Sequence, residues 1–358
     1  MSMDPIGIYL HVPFCDTLCP YCDFFKKRPA EGETQRYVEQ LKTELSSYAD
    51  KKLRADSVYV GGGTPSVLPG DRLTELLTAV RAAFDVTPDA EITVECNPSS
   101  DLERFLPAAA EAGVGRISLG MQSAVDAERR SLGRRADRAR VEKALSIARE
   151  NGIRNLSLDI MLGVPGQTLQ SLSETLRFVA DSGVPHASAY LLKLEDGTPF
   201  ARRADRLDLP DEETASAMYF AAIEALEAAG LRQYEISNFA APGFESRHNL
   251  KYWRCEEYLG FGPAAHSFFE GRRFYRLADW DAFYDGAPTV DDGPGGSFEE
   301  RLMLALRLVE GYRGPVPPEL REKASQRFLA PYLEVGDDFL RLTREGFAVS
   351  NRILAELL

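Results

Sequence analysis

No uninterrupted apolar run in the sequence reaches the roughly 20 residues that a membrane-spanning helix needs. Met1–Leu10 lacks a basic stretch followed by an apolar one, so no secretory signal is read there and the chain is expected in the cytoplasm. Positive charge is also in short supply: 42 Lys and Arg stand against 55 Asp and Glu, a formal net charge of −13. Such a chain has no general attraction for nucleic acid or anionic membranes, and any membrane contact is expected to be peripheral. The tightest early basic cluster, Lys26, Lys27 and Arg28, reads as a solvated loop rather than a phosphate patch. Cysteine is scarce, five in 358 residues, and unevenly spread. Cys15, Cys19 and Cys22 crowd together, while Cys96 and Cys255 stand alone. An odd, clustered set in a reducing compartment argues against a disulfide framework and for a metal or redox site.

What is present is a regular alternation of short apolar runs and longer amphipathic ones. Candidate strands are Gly7–Val12, Ser57–Val60, Glu91–Glu95, Arg116–Leu119, Asn155–Met161 and His186–Leu192. Between them lie helical stripes, such as Tyr37, Leu41, Leu45 and Tyr48, then Leu73, Leu76, Val80 and Phe84, and later Tyr219, Ile223 and Leu226. Six βα units in succession predict an α/β fold, a partial TIM-like (β/α)6 barrel with its functional face at the C-terminal strand ends. Asp291–Ser297 (DDGPGGS) reads as a linker. Beyond it, residues 298–358 predict a small helical or winged-helix domain with a hairpin around Glu345–Gly346. Its acidic surroundings favour packing or docking over DNA binding.

The chemistry-bearing stretch runs from Tyr9 to Phe24, with Cys15, Cys19 and Cys22 spaced C-x3-C-x2-C straight after the first strand. Three thiolates from one loop can hold three corners of an iron–sulfur cubane and leave one iron without a protein ligand. The rival is zinc on Cys15, Cys19, Cys22 and His11, although tetrahedral zinc sites usually draw on two separated pairs. One strand later comes Gly61-Gly62-Gly63-Thr64-Pro65. No Gly-Lys-Ser/Thr follows it, so it is not a phosphate-binding P-loop. Glu95, Gln122 and Asp159 are polar residues at or just past the ends of successive expected strands, facing a barrel mouth.

Over about residues 5–290 these motifs resemble the radical SAM superfamily, and within it the coproporphyrinogen oxidase-like branch. The resemblance implies a [4Fe–4S] cluster on Cys15, Cys19 and Cys22, and S-adenosylmethionine (SAM) bound by Tyr9, Tyr21, Gly62, Gly63, Thr64, Glu95, Gln122, Arg134 and Asp159. Arg135 stays open beside Arg134. The implied chemistry is one-electron cleavage of SAM to methionine and a 5′-deoxyadenosyl radical, which requires an electron donor. The resemblance assigns residues 1–230 to the core barrel and 231–290 to an extension.

Two features bear on the branch member. The oxygen-independent coproporphyrinogen dehydrogenases carry a fourth cysteine two residues after the third, where this chain has Phe24. In addition, His248-Asn249-Leu250-Lys251-Tyr252-Trp253 resembles the H-N-x-x-Y-W pattern of the HemW-type heme chaperones. That likeness implies heme as cargo, His248 as a heme ligand, and delivery to apo-hemoproteins such as respiratory enzymes. Tyr252 and Trp253 offer apolar faces to a porphyrin. His266 is a second histidine candidate, in a setting that reads as a packed turn, and Cys255 reads as a thiolate ligand or a buried free cysteine. The alternative function is the coproporphyrinogen dehydrogenase itself or another porphyrin-modifying radical reaction.

Overall fold

Period-two alternation within each of the six expected strands gives the sheet two unlike faces. In the computed structural model, which describes residues 4–358, the strands are β1 (Ile6–Val12), β2 (Arg54–Gly62), β3 (Asp85–Cys96), β4 (Arg116–Gln122), β5 (Asn155–Leu162) and β6 (His186–Leu191). Met1–Met3, part of the segment read for a secretory signal, lie outside the described residues. Each strand pairs in parallel with the next, and β1 and β6 do not meet. The expected α/β partial barrel is therefore present.

The connecting helices are α1 (Glu33–Ser46), α2 (Gly70–Ala83), α3 (Leu102–Glu111), α4 (Asp126–Ser131), α5 (Arg138–Glu150), α6 (Leu169–Ser182) and α7 (Glu212–Ala228). They cover the apolar face of the sheet. Ile8, Leu10, Val58, Val60, Val94, Leu119 and Leu158 are buried in one cluster with Leu41 and Leu45 of α1 and Leu73, Leu76 and Val80 of α2. Each such side chain stabilises the fold by roughly 1.5–3 kcal/mol relative to exposure. The other face of the same strands is polar: Ser57 and Tyr59, Glu91, Thr93 and Glu95, Arg116 and Ser118, Ser157 and Asp159, His186 and Ser188. This set lines the barrel interior.

Six further strands, unanticipated in the sequence, extend both edges. Beside β6 lie β7 (Arg232–Gln233) and β8 (Asn238–Ala240). Helix α8 (Arg247–Trp253) follows, and β9 (Tyr258–Phe261) then pairs in parallel with β1. From β9 the edge continues antiparallel through β10 (His266–Phe269) and β11 (Arg272–Tyr275), past α9 (Trp280–Tyr284), to β12 (Val290–Pro294). The segment read as a linker is thus largely an edge strand. Its backbone pairs with β11, and a Cβ on Gly295 would meet the Phe268 ring at 2.8 Å, so the glycines allow close packing rather than flexibility.

The C-terminal part contains α10 (Phe298–Ala305), β13 (Tyr312–Arg313), α11 (Pro318–Ala324), β14 (Leu333–Val335), β15 (Phe339–Leu342), α12 (Arg344–Ala348) and α13 (Ser350–Leu357). Its three strands form a separate antiparallel sheet in the order β13-β15-β14, in keeping with the helical or winged-helix expectation. The hairpin falls at β14–β15. Glu345–Gly346 instead lie in α12, whose first turn Thr343 caps by accepting the Gly346 N–H. Ile236 N–H donates to Arg307 O (2.9 Å) and Val309 N–H to Tyr234 O (3.0 Å), fixing this part to the barrel. No helix among the described residues is long and apolar enough to cross a membrane.

Candidate functional site

The cysteine loop after β1 is held by backbone and side-chain bonds. Cys15 N–H donates to Lys27 O (2.9 Å), Lys27 N–H to Pro13 O (3.0 Å) and Cys22 N–H to Cys19 O (3.3 Å). The Lys26 ammonium donates to Cys22 O (2.8 Å) and Phe24 O (3.1 Å). Lys27 pairs with Glu33 and lies 3.8 Å over the Trp280 ring. Lys26 and Lys27, expected in a solvated loop, therefore clamp the cysteines in place.

The glycine-rich segment after β2 docks directly on this loop. Gly63 N–H donates to Val12 O (2.9 Å) and Thr64 N–H to Phe14 O (2.7 Å), and Thr64 Oγ1 lies 3.4 Å from Cys15 Sγ. A Cβ on Gly63 would come within 2.7 Å of Phe14 O, and one on Gly62, whose φ is +105°, within 2.6 Å of the His11 ring. Glycine is needed because the two loops touch at backbone distance.

His11 does not complete a metal site. Its Nε2 lies 3.1 Å from Phe25 O, an acceptor only, so that nitrogen carries the proton and Nδ1 accepts the Tyr9 hydroxyl at 2.9 Å. Among the described residues no three His, Cys, Asp or Glu converge on a single ion. Three thiols on one loop suit a cluster, in which each thiolate binds a different iron and none needs to converge with the others on one ion. The zinc reading loses its fourth ligand for the same reason.

Next to this loop, the strand ends enclose a cavity of about 370 Å³, bordered by Tyr21, Gly62, Gly63, Thr64, Glu95, Gln122, Arg134 and Asp159. Of the residues expected there, only Tyr9 is off the wall, since its hydroxyl is taken by His11. Arg134 borders the cavity and donates to the Tyr21 hydroxyl (3.0 Å), whereas Arg135 points to solvent, which separates the two arginines. Gln122 has a left-handed backbone, φ +70°, at an irregularity between β4 and β5. A non-glycine residue tolerates this conformation only when its surroundings enforce it, and such strain concentrates at functional positions.

Both carboxylates are raised. Glu95 accepts the Tyr59 hydroxyl (2.8 Å) and the Gly62 N–H (3.1 Å). Burial, with Asp159 adding to it, nevertheless pushes its carboxyl up to about 7. Burial also raises Asp159, against hydrogen bonds that include Ser118 Oγ at 2.9 Å. The Gly62 N–H is thus committed to Glu95 rather than free for a ligand.

Tyr59, Arg116 and Tyr190 also border the cavity and went unrecognised in the sequence. Arg116 is 2% exposed with an unpartnered Nε. Burial opposes its charge, but Glu91, Tyr59 and other neighbours outweigh burial and hold the guanidinium ionised. The available signal was the alternation Arg116-Ile-Ser118-Leu-Gly120, which aims every second, polar residue at the interior.

The heme expectation for His248 meets a different geometry. Helix α8 plugs the N-terminal end of the barrel. Its first turn is capped by the Glu91 carboxylate, which accepts the N–H groups of Arg247 and His248 at 3.2 Å. Lys251 is anchored to Asp56 (3.1 Å) and Pro5 O (2.9 Å). His248 is fully buried: Nδ1 hydrogen-bonds Ser57 Oγ (2.9 Å), Nε2 the Tyr252 hydroxyl (2.8 Å), and the ring stacks on Tyr59 at 5.3 Å. Both ring nitrogens are thus hydrogen-bonded, Nδ1 joining α8 to β2 and Nε2 bonding within α8 itself. The neighbouring Asn249 borders the cavity floor. His266 lies exposed on β10 and stacks on Tyr275. Cys255 is partly exposed beside Arg273, and Cys96 is buried.

Residues 9–179 match the radical SAM superfamily. Over 361 residues the chain is 33% identical to the heme chaperone HemW of Lactococcus lactis, covering 98% of this chain and 93% of that one. It is 36% identical to the heme chaperone HemW of Mycobacterium tuberculosis, covering 100% and 96%. In three dimensions it resembles the coproporphyrinogen III oxidase HemN of Escherichia coli, a radical SAM enzyme, with a TM-score of 0.85 over 99% of this chain and 90% of that one. At 21% identity this last likeness speaks for the fold alone.

Proposed function

The chain belongs to the HemW family of heme chaperones within the radical SAM superfamily, and from that premise we propose that it binds heme and passes it to apo-hemoproteins such as respiratory enzymes. In this reading Cys15, Cys19 and Cys22 hold a [4Fe–4S] cluster, and the adjoining cavity holds SAM. The observation that carries it is the docking of the glycine-rich loop on the cysteine loop, with Glu95, Gln122, Arg134 and Asp159 around one enclosed space. When bound, a cluster with one open iron corner supplies one-electron reduction of the SAM sulfonium. The chain itself contributes charge and exclusion of water: Arg134 suits the SAM carboxylate, Glu95 and Asp159 suit its cationic and hydroxyl groups, and α8 closes the floor beneath them. Phe24, 60% exposed at the cavity, stands where the coproporphyrinogen dehydrogenases have their fourth cysteine, which weighs against that reaction.

The test is a heme titration of the anaerobically reconstituted protein, followed by mixing with an apo-hemoprotein. A saturable, near-stoichiometric Soret band that moves to the acceptor is expected. No saturable uptake would remove the reading, as would conversion of coproporphyrinogen propionates to vinyl groups as the main outcome.

SAM affinity is expected to rise with pH. The Glu95 carboxyl, at about 7, is half protonated at neutrality in the empty cavity, and a cationic ligand favours its ionised form. Binding therefore releases a proton, and the Kd should fall about tenfold between pH 6 and pH 8. Calorimetry in buffers of different ionisation enthalpy measures the proton release, and Glu95→Gln should flatten the profile. A Kd independent of pH in the unaltered protein would contradict this.

A further inference from the structure

Helix α8 ends at Trp253, outside the barrel, where it meets α10 and β13. Between these elements lies a groove of about 590 Å³, within the size range of small-molecule sites. Its walls carry three aromatic side chains, Trp253, Phe298 and Tyr312, all partly exposed, with Phe298 and Tyr312 packed edge to face at 5.6 Å. The same walls carry Arg254, Arg301 and Arg313 against a single carboxylate, Glu310. Arg254 and Glu310 pair with each other at 3.1 Å. Arg301 and Arg313 are exposed and have no carboxylate partner among the described residues; Arg301 lies near Gly296, and Arg313 lies 5.7 Å from the Phe339 ring. In a chain of net charge −13, an aromatic groove with two unneutralised guanidinium groups is a local exception.

We infer that this groove, rather than the neighbourhood of His248, is where heme docks: the porphyrin lies against Trp253, Phe298 and Tyr312, and Arg301 and Arg313 take its propionates. The inference rests on the heme-chaperone reading and gives that reading a place on the molecule. A planar dianion is the ligand that uses both halves of the wall. Apolar ring surface is covered by aromatic faces, and planar guanidinium groups match carboxylates bidentately. The site is built rather than floppy, because backbone hydrogen bonds, Val309 N–H to Tyr234 O and Ile236 N–H to Arg307 O, hold the α10–β13 connection against the barrel. It also accounts for Trp253 in the motif: one end of α8 is locked inside the barrel by His248, and the other end displays an indole at the groove.

The experiment compares the full-length, reconstituted protein with Arg301→Glu/Arg313→Glu, titrating heme and, separately, the dimethyl ester of the same porphyrin, whose carboxylates are masked. Because both arginines are exposed, the substitutions should leave folding and SAM binding unchanged, which thermal melts and SAM titration check. The double variant is expected to bind heme at least about tenfold more weakly. The diester should bind the unaltered protein weakly and show no further loss in the variant. Unchanged heme affinity in the variant, with the unaltered protein binding normally, would overturn the groove and leave the chaperone reading standing. Equal affinity of the unaltered protein for heme and its diester would overturn the propionate assignment. Absence of heme uptake by the unaltered protein would instead remove the functional reading and this inference with it.

Discussion

Cys19→Ser, reconstituted anaerobically with iron and sulfide, is expected to show no [4Fe–4S] chromophore and to lose SAM binding by about 100-fold or more. Cys19 is the informative choice among the three cysteines. Cys15 is 6% exposed and touches Thr64, so replacing it also disturbs the contact between the cysteine and glycine-rich loops. Cys19 is partly exposed, and its carbonyl, rather than its side chain, makes the turn to Cys22. A serine there keeps the backbone turn and the Lys26 and Lys27 clamps while removing one thiolate. The measurement is the visible absorption and iron and sulfide content after reconstitution, with a thermal melt to show that the fold survives. An intact chromophore in Cys19→Ser would exclude the cluster on this loop.

His248→Ala is expected to destabilise the protein by about 3 kcal/mol while leaving heme affinity unchanged. Removing the imidazole leaves a void against Tyr59 and withdraws the partners of two buried hydroxyls, Ser57 Oγ and Tyr252 OH. For a chain of this length the loss corresponds to a Tm decrease of several degrees, roughly 5 °C. Acid makes the effect specific. Burial, with Lys251 adding to it, lowers the His248 imidazole to about 3, against an ordinary 6.5. The other groups around it are Ser57, Tyr59, Tyr9, Tyr252 and Glu91, the last committed to the backbone of α8. With a folded value below the unfolded one, the contribution of neutral His248 is complete above pH 6.5 and is lost as pH falls toward 3. Between those limits His248→Ala should therefore lose stability with acidification less steeply than the unaltered protein. Parallel pH profiles would place the imidazole in contact with water, and a large loss of heme affinity would return the ligand role to His248.

The contrast between these two predictions reflects what each motif needs from the rest of the chain. C-x3-C-x2-C is local chemistry: the thiolates share one loop, so their spacing alone implies one metal group. The glycine-rich loop is nearly as local, since it follows the neighbouring parallel strand. The six-stranded barrel was legible because each strand repeats with period two and each helix with period 3.6. The short strands β7–β12 were not, because stretches of two to five residues carry too little periodicity and their pairing depends on distant edges. Asp291–Ser297 shows the same limit: its glycines and prolines read as flexibility, yet its backbone pairs with β11 and its glycines admit the Phe268 ring.

His248 marks where local reading ends. Its residue type and its motif were visible in the chain, but whether an imidazole faces a ligand or a serine is set by which way α8 turns when it meets β2, 191 positions away in sequence. Arg116 and Tyr59 were hidden for a related reason, since a polar residue in a strand signals a lined interior only after the sheet has curved around it. The amino-acid order by itself determined the parallel α/β framework, the clustering of three cysteines on one loop and the polar residues at the strand ends. Tertiary structure alone decided that the interior is sealed below by α8, that the histidine of the motif is buried against Ser57 of β2, and that an arginine-lined groove opens at the helix's far end. The reason is that burial and orientation arise from contacts between remote segments, which no local spacing encodes.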